Sequence, residues 1–359
     1  MMHTRLATLR SFLPQEADAA LIISETNRRY LTGFVSSLGY LFVSREKAVL
    51  LVDSRYEEAA RAQVDNCEVR LFRDLSQDIP ALLREWHLKS ILLEGSAFTL
   101  NETARIEGFF RTADASAIKT TELDKILNRM RLFKSNDEIN KMMYAQHLTE
   151  EAFNETIKLI KEGVSEKDLA LDLEFRMRQA GADGVSFDLI VLTGAKTSMP
   201  HGVPGQETVH HGDFILFDIG ATFKGYHSDM TRTVAFGKVN QTQRRIYQTV
   251  LQAQKNALAM VKDGVSCRQV DRAARSYIDE AGYQGCFGHS TGHGVGLEIH
   301  ESPSVAPNND FILHSGMVIT IEPGIYVPGQ CGVRIEDMVL VTKEGCLNLV
   351  NLPKELIEL

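Results

Sequence analysis

The stretch "KEGVSEKDLALDLEFRMRQAG" at residues 161–181 returns as "KDGVSCRQVDRAARSYIDEAG" at 262–282, at the same length and with the same first and last residues. Each copy reads as a helix-turn-helix joint in which a serine, Ser165 or Ser266, caps the second helix. The likeness continues downstream, where "GDFILFDIG" (212–220) is matched by "GMVITIEPG" (316–324). That match sets Asp218 against Glu322. A second carboxylate then follows on a partner strand, Asp229 in the first half and Glu336 in the second. Two copies of one unit, related by a pseudo-twofold axis, would bring two hairpins and four carboxylates to one centre.

The first of these hairpins, "FDIGATFKGYHSDMTRT" (217–233), carries an Asp on each arm where a strand should be most buried. A lone carboxylate there is costly unless it is paired or bound to a cation. Strand parity puts Phe214, Leu216 and Asp218 on one face, and likewise Val318, Thr320 and Glu322; Arg334 and Glu336 also share a face. Four converging carboxylates repel, so positive charge must lie between them. Two metal ions about 3.5–4 Å apart, bridged by shared carboxylates, satisfy charge and geometry and activate water for hydrolysis. The segment "GHSTGHGVGLEIH" (288–300) offers a fifth donor from among His289, His293 and His300, on a glycine-rich loop that lets backbone approach a metal closely. Oxygen donors with at most one imidazole favour manganese over a thiolate-type zinc site, with cobalt or zinc able to substitute.

The rest of the chain bounds this reading. At 359 residues two domains are expected. A formal net charge of -8, without a basic tail, excludes the electrostatic footprint of a nucleic-acid binder. The opening "MMHTRLATLRSFLPQ" has no apolar core of a signal peptide, and no apolar run approaches the ~18 residues of a membrane span, so a cytoplasmic protein with no membrane partner is expected. Five widely spaced cysteines read as reduced thiols.

Residues 19–120 alternate strand-like runs ("AALIIS", "YLFVS", "AVLLVD", "VRLF", "SILLEG") with helical spacing near Tyr56–Val64, Ile79–Trp86 and Asn101–Phe110, an α/β pattern without a phosphate loop or a chemistry-bearing cluster. This region reads as a scaffold, an oligomerisation element or a cover for the substrate. The polar stretch 120–138 marks the boundary, and Ser135 with Glu138 forms a capping box that opens a helix running to about Lys161.

The ordered set Asp218, Asp229, His293, Glu322 and Glu336, with "DMTRT", "GHG" and "EPGIY", resembles the dinuclear metallopeptidases of the pita-bread fold, in their Xaa-Pro aminopeptidase and proline dipeptidase branch. The resemblance spans nearly the whole chain. It implies an α/β (α+β) protein with a creatinase-like N-terminal domain at 1–124 and a pita-bread catalytic domain with an internal repeat at 125–359. It implies two divalent ions, with Asp229 and Asp218 on one, Asp218 and Glu336 bridging, and His293 and Glu322 completing the second. His201, in "MPHG", His289 and His300 take the places of active-site histidines, with His300 stabilising the oxyanion. Glu322 moves the proton, Arg334 steadies Glu336, and Thr231 supports the ligands. The implied substrate is a proline-containing peptide cleaved after its first residue, and the implied assembly is a homodimer.

Rival readings remain at this point. A methionine-aminopeptidase-like activity is the nearest enzymatic alternative, although such enzymes usually lack the extra N-terminal domain. "GHSTG" (288–292) fits the G-x-S-x-G nucleophile elbow of serine hydrolases, with Ser290 as nucleophile, and requires a strand before it and a helix after it. A non-catalytic binding protein and a metal-free creatinase-type hydrolase on the same fold do not need all five ligands.

Overall fold

Short, β-branched, wholly apolar runs make the first layer. In the computed structural model, which describes residues 2–359, strands β1 (Ala19–Ile22), β2 (Tyr40–Ser44), β3 (Ala48–Val52), β4 (Glu68–Leu71), β5 (Ser90–Leu93) and β6 (Ser116–Ile118) form one sheet in the order β4-β3-β2-β1-β5-β6. β1, β2 and β3 are buried at every position, as in strands covered on both faces. Helices α1 (Met2–Phe12), α2 (Glu25–Thr32), α3 (Glu57–Gln63), α4 (Leu75–Glu85), α5 (Leu100–Arg111) and α6 (Glu122–Leu132) complete this part of the chain. Of these, α4 and α5 pack Leu82, Ile106 and Phe110 against Leu21, Phe42 and Ile91.

The five strands and three helices expected from the sequence are all present. The polar stretch at 120–138, expected as a boundary, contains α6, because Leu123, Ile126, Leu127 and Met130 recur at i, i+3, i+4 and i+7 and are buried. The chain divides into two compact units, the first ending at Arg131 and the second running Leu132–Leu359.

The second unit carries the repeat. The Ser135–Glu138 capping box opens α7 (Asn136–Thr156), which ends in a 3-10 turn at Ile157–Leu159, slightly before Lys161. Ser165 caps α8 (Glu166–Gln179) by accepting from the Asp168 amide; α9 (Gln241–Met260) follows, and Ser266 caps α10 (Cys267–Ile278) through the Gln269 amide. The duplicated joints make the same contacts. The Gly163 amide donates to the Val209 carbonyl at 2.9 Å, and Gly264 to Leu313 at 2.9 Å. Glu162 accepts from the His211 amide at 3.0 Å and lies 2.7 Å from His210 Nδ1. Asp263 repeats this with Ser315 at 3.0 Å and His314 Nδ1 at 3.2 Å. Identical bonding at both copies makes the duplication structural.

The strands of this unit are β7 (Gly184–Val185), β8 (Ile190–Thr193), β9 (Phe214–Ile219), β10 (Ala221–Phe223), β11 (Tyr226–His227), β12 (Met230–Ala235), β13 (Gly292–Gly294), β14 (Glu301–Val305), β15 (Val318–Ile321), β16 (Gly324–Val327), β17 (Cys331–Arg334), β18 (Asp337–Val341) and β19 (Cys346–Asn348). The first hairpin has β9 and β12 as its base and β10 and β11 as its tip; the second has β15 and β18 as base and β16 and β17 as tip. In each half one strand parity belongs to its own helices. Ile215, Phe217 and Ile219 share a core with α7 and α8, and Ile319 and Ile321 share another with α9 and α10. The opposite parity, which carries Asp218 and Thr320, faces the centre.

A buried ion pair links the base strands of the two halves. Arg232 of β12 donates to Asp337 of β18 at 2.8 Å, and Lys354 reaches the other Asp337 oxygen at 2.7 Å; Gln254 and Asn348 also donate to it. Burial works to raise the Asp337 pKa, but Arg232 and Lys354 prevail and hold it below the usual carboxylate range. A depressed carboxylate stabilises the fold above the unfolded pKa of about 4 and loses that contribution as pH falls through the folded value. Asp337→Ala is therefore expected to destabilise by about 3–5 kcal/mol at pH 7, through the stranded Arg232 charge. Denaturant unfolding should show the difference from wild type shrinking below pH 4.

Candidate metal centre

Both hairpins are interrupted between base and tip, and the acids lie at the interruptions. In the first, the Ser228 hydroxyl takes over the ladder by accepting from the Ala221 amide at 3.0 Å. Gly220 passes so close to the Ser228 carbonyl that a Cβ would sit 2.1 Å from it. In the second, Pro323 has no N–H to give to the ladder. The expected plain hairpin with an acid within each arm is thus corrected. Asp229 and Glu336 precede β12 and β18, Glu322 follows β15, and Asp218 is the one of the four inside a strand. Asp218 pairs with Thr231 across its ladder, whereas the second register would set Glu322 opposite Glu336. This two-residue offset is even, so each acid keeps its face.

The sites converge as the duplication implies. Asp229, His293 and Glu336 bring potential ligand atoms within 4.8 Å of one another. His293 Nε2 lies 3.4 Å from Asp229 Oδ2 and 3.4 Å from Glu322 Oε1. Its Nδ1 donates to the Gly294 carbonyl at 3.0 Å, the tautomer that leaves a lone pair on Nε2 facing both carboxylates. His293 can come this close because Gly292 has no Cβ; one there would lie 1.9 Å from the Thr320 carbonyl oxygen. The Thr320 hydroxyl donates to Glu322 at 3.1 Å and accepts from the His293 amide at 3.1 Å.

Arg334 differs from expectation. Its Nη2 donates to Asp218 at 2.5 Å, not to Glu336, because Arg334 ends β17 while Glu336 lies past the interruption. Glu336 is supported by Thr231, whose hydroxyl donates to it at 2.7 Å while accepting from Arg334 Nε at 3.1 Å. The resemblance gave Asp218 the position beside both ions, yet the oxygen next to His293 belongs to Asp229.

Electrostatics expose the strain of this gathering. Burial, then the charges of Asp218 and Glu322, raise the Asp229 pKa; burial, then Asp229, Glu322 and Asp218, raise Glu336. Burial pushes Glu322 up to about 7 although Arg334 pulls it down. Burial lowers His293 and His300, and with help from Arg334 lowers His289 to about 4.

These groups form the floor of a cavity of about 890 Å³ that His201, His289, Ser290 and His300 also line, with Phe187, Leu189 and Ile299 as apolar wall. The His300 ring meets that of His293 edge-on at 4.5 Å. His289 is engaged on both nitrogens: Nδ1 donates to the Ser290 carbonyl at 2.8 Å, and Nε2 accepts from the Tyr326 hydroxyl at 2.8 Å. Tyr326 in turn accepts from Arg334 at 2.6 Å. The sequence reading gave Tyr326 no role, although its place in "EPGIY", four residues after Glu322, was the available signal. Ser290 is not on a nucleophile elbow: loop precedes it, and the short strand β13 follows where that motif needs a helix.

Comparison with known proteins agrees with this geometry. Residues 140–343 match metallopeptidase family M24, and residues 5–133 match the creatinase/prolidase N-terminal domain. The chain belongs to metallopeptidase family M24. It is 36% identical over 362 residues to an Xaa-Pro dipeptidase of Pyrococcus horikoshii, covering 99% of each chain, and 39% identical over 355 residues to an uncharacterized peptidase of Bacillus subtilis, covering 98% of this chain and 99% of that one. Among solved structures, an Xaa-Pro dipeptidase from Bacillus anthracis superposes with a TM-score of 0.95 at 37% identity over 100% of both chains. An X-Pro aminopeptidase from Thermotoga maritima follows at 0.90 and 36%, over 96% of this chain and 98% of that one. This M24 protein is accordingly a hydrolase acting on peptide bonds, on the creatinase-like and pita-bread fold expected from its sequence.

M24 membership implies divalent metal ions, and the donor set fits them. Buried carboxylates with raised pKa values face one imidazole lone pair at distances too long for hydrogen bonds. Mn2+ added to chelator-stripped protein at a hundredfold excess over its Kd is expected to stabilise the fold by about 2.7 kcal/mol. Asp229→Asn removes a buried charge, so it should raise the Tm of stripped protein and abolish the Mn2+-dependent rise. A calorimetric scan in which the variant still responds to Mn2+ would contradict this.

Proposed function

We propose that this M24 enzyme is an exopeptidase that cleaves the bond between an N-terminal residue and a following proline, in dipeptides or short peptides. Asp218, Asp229, His293, Glu322 and Glu336 would hold two divalent ions, with manganese favoured by the oxygen-rich donor set. The observation that carries the reading is the convergence of buried, mutually repelling carboxylates on His293 at the floor of a partly apolar cavity. Relatives named as Xaa-Pro dipeptidases and an X-Pro aminopeptidase support the proline preference.

Asp229, beside His293, and Glu336, in the same cluster, suit the shared positions; Asp218 suits the ion away from His293, and Glu322 the ion beside it. Bound ions supply a water of lowered pKa and polarise the scissile carbonyl. The protein's own groups do the rest. The prolyl nitrogen leaves as a secondary amine, so it must receive a proton as the C–N bond breaks. Glu322, oriented by Thr320, is the group placed to take a proton from water and pass it on. His300, kept neutral by burial, offers an N–H to the developing oxyanion. His201 meets the substrate side of the cavity, and Phe187, Leu189 and Ile299 receive the prolyl ring. His289, with both nitrogens occupied, acts by holding Tyr326 and through it Arg334 and Asp218.

Steady-state hydrolysis tests this directly. With Mn2+, Ala-Pro should be cleaved at least about tenfold faster than Ala-Ala or Met-Ala-Ala, a chelator should abolish the activity, and His300→Ala should lower kcat about 10²- to 10³-fold. Ser290→Ala should retain the wild-type rate within a few-fold. Preference for Met-Ala-Ala would move the assignment to a methionine aminopeptidase.

A further inference from the structure

His201 reaches the cavity from a segment that leaves β8 at Thr193 and rejoins the helix layer at Gly205. Both ends of that segment are held by one side chain. Glu166, the first residue of α8 and 0% exposed, accepts from the Thr193 amide through Oε1 at 2.8 Å and from the Gly205 amide through Oε2 at 2.9 Å. Lys196, within the segment, donates to the same Oε2 at 2.7 Å and to Glu207 at 2.9 Å. Between these anchors the segment touches the active-site layer. The Thr197 hydroxyl accepts from the Gly332 amide at 2.8 Å, and the Pro200 carbonyl accepts from Arg334 at 3.4 Å.

The duplication supplies an internal control. The place of Glu166 is taken in the second copy by Cys267, which is also buried. The backbone there is bonded the same way in both copies. Glu166 and Cys267 amides donate to Glu207 and Phe311 carbonyls at 3.0 and 2.9 Å, and Lys167 and Arg268 amides to Gly205 and Asn309 carbonyls at 3.1 and 2.8 Å. The joint therefore forms without a carboxylate at this position. Burying one is costly unless its oxygens are engaged, and the groups that engage Glu166 all belong to the segment bearing His201.

We propose that Glu166 is a positioning residue which, with Lys196, clamps residues 193–205 so that His201 keeps its place at the cavity; the role of His201 itself rests on the peptidase reading above. Loss of the clamp removes the side-chain tie at both ends of the segment, leaving the ladder pairing of Thr193 and the Lys167–Gly205 backbone bond, while the metal-binding acids, which lie on other elements, stay in place. Because misplacing a substrate-contacting group by about 1 Å can cost about 10²-fold in rate, the effect belongs in kcat/KM.

The test uses full-length Mn2+-loaded enzyme carrying Glu166→Gln, and Glu166→Cys as the residue its counterpart already uses, should the first variant fold poorly. Hydrogen exchange is expected to quicken about tenfold or more over 193–205, with β9 and the Mn2+-dependent rise in Tm unchanged. On Ala-Pro, kcat/KM should fall about 10- to 100-fold. In a His201→Ala background the same substitution should change it less than about twofold, since residues acting through one another are not additive. Unchanged exchange over 193–205 overturns the clamp; effects that multiply independently of His201 overturn its route. If exchange quickens but the wild-type enzyme spares Xaa-Pro bonds, the substrate reading fails and the clamp stands, and the cycle is run on the peptide that is cleaved.

Discussion

Carboxylates drawn together out of water repel one another, and the second unit is organised around that repulsion. Burial and mutual charge raise the pKa values of Asp229, Glu322 and Glu336, while Arg334 offsets Asp218 from one side. A fold optimised only for stability would replace these acids with apolar residues, since buried ionic groups rarely repay their desolvation. Their retention is intelligible when cations supply the missing charge, and the lone pair that His293 turns toward Asp229 and Glu322 points to the same requirement.

The duplication explains how one chain delivers the acids to one place. Each half packs one strand parity on its own helix pair and turns the other to the centre, and Arg232 with Asp337 ties the two base strands that flank it. The halves then diverge where chemistry is asymmetric. Asp218 sits within β9 beside Arg334, whereas Glu322 sits past β15 beside His293. Glu166 is ionic where its equally buried counterpart Cys267 carries no charge. The shared parts serve the fold and the unshared parts serve the cavity.

Much of this was legible in the residues. Strand parity, the capping box at Ser135, the helix cap at Ser266 and the ordered acids were readable because each depends on local spacing, which the backbone translates directly into direction. What was not legible depends on contacts between distant segments. The hairpin interruptions arise where Ser228 and Gly220 meet and where Pro323 lacks a donor, and the partner of Arg334 is settled by an acid on another hairpin. His289 was legible as one of three histidines in active-site positions, but its partners, the Ser290 carbonyl and the Tyr326 hydroxyl, depend on the fold. The helix at 122–132 was hidden because its charged residues outnumber the apolar stripe that forms it.

Anomalous scattering at the manganese edge, from crystals grown in Mn2+, tests the central claim most directly. Two peaks per chain are expected, one against Asp218 and the other against His293 and Glu322, with Asp229 and Glu336 touching both. A centre without manganese, its four carboxylates turned away from one another, would contradict the account.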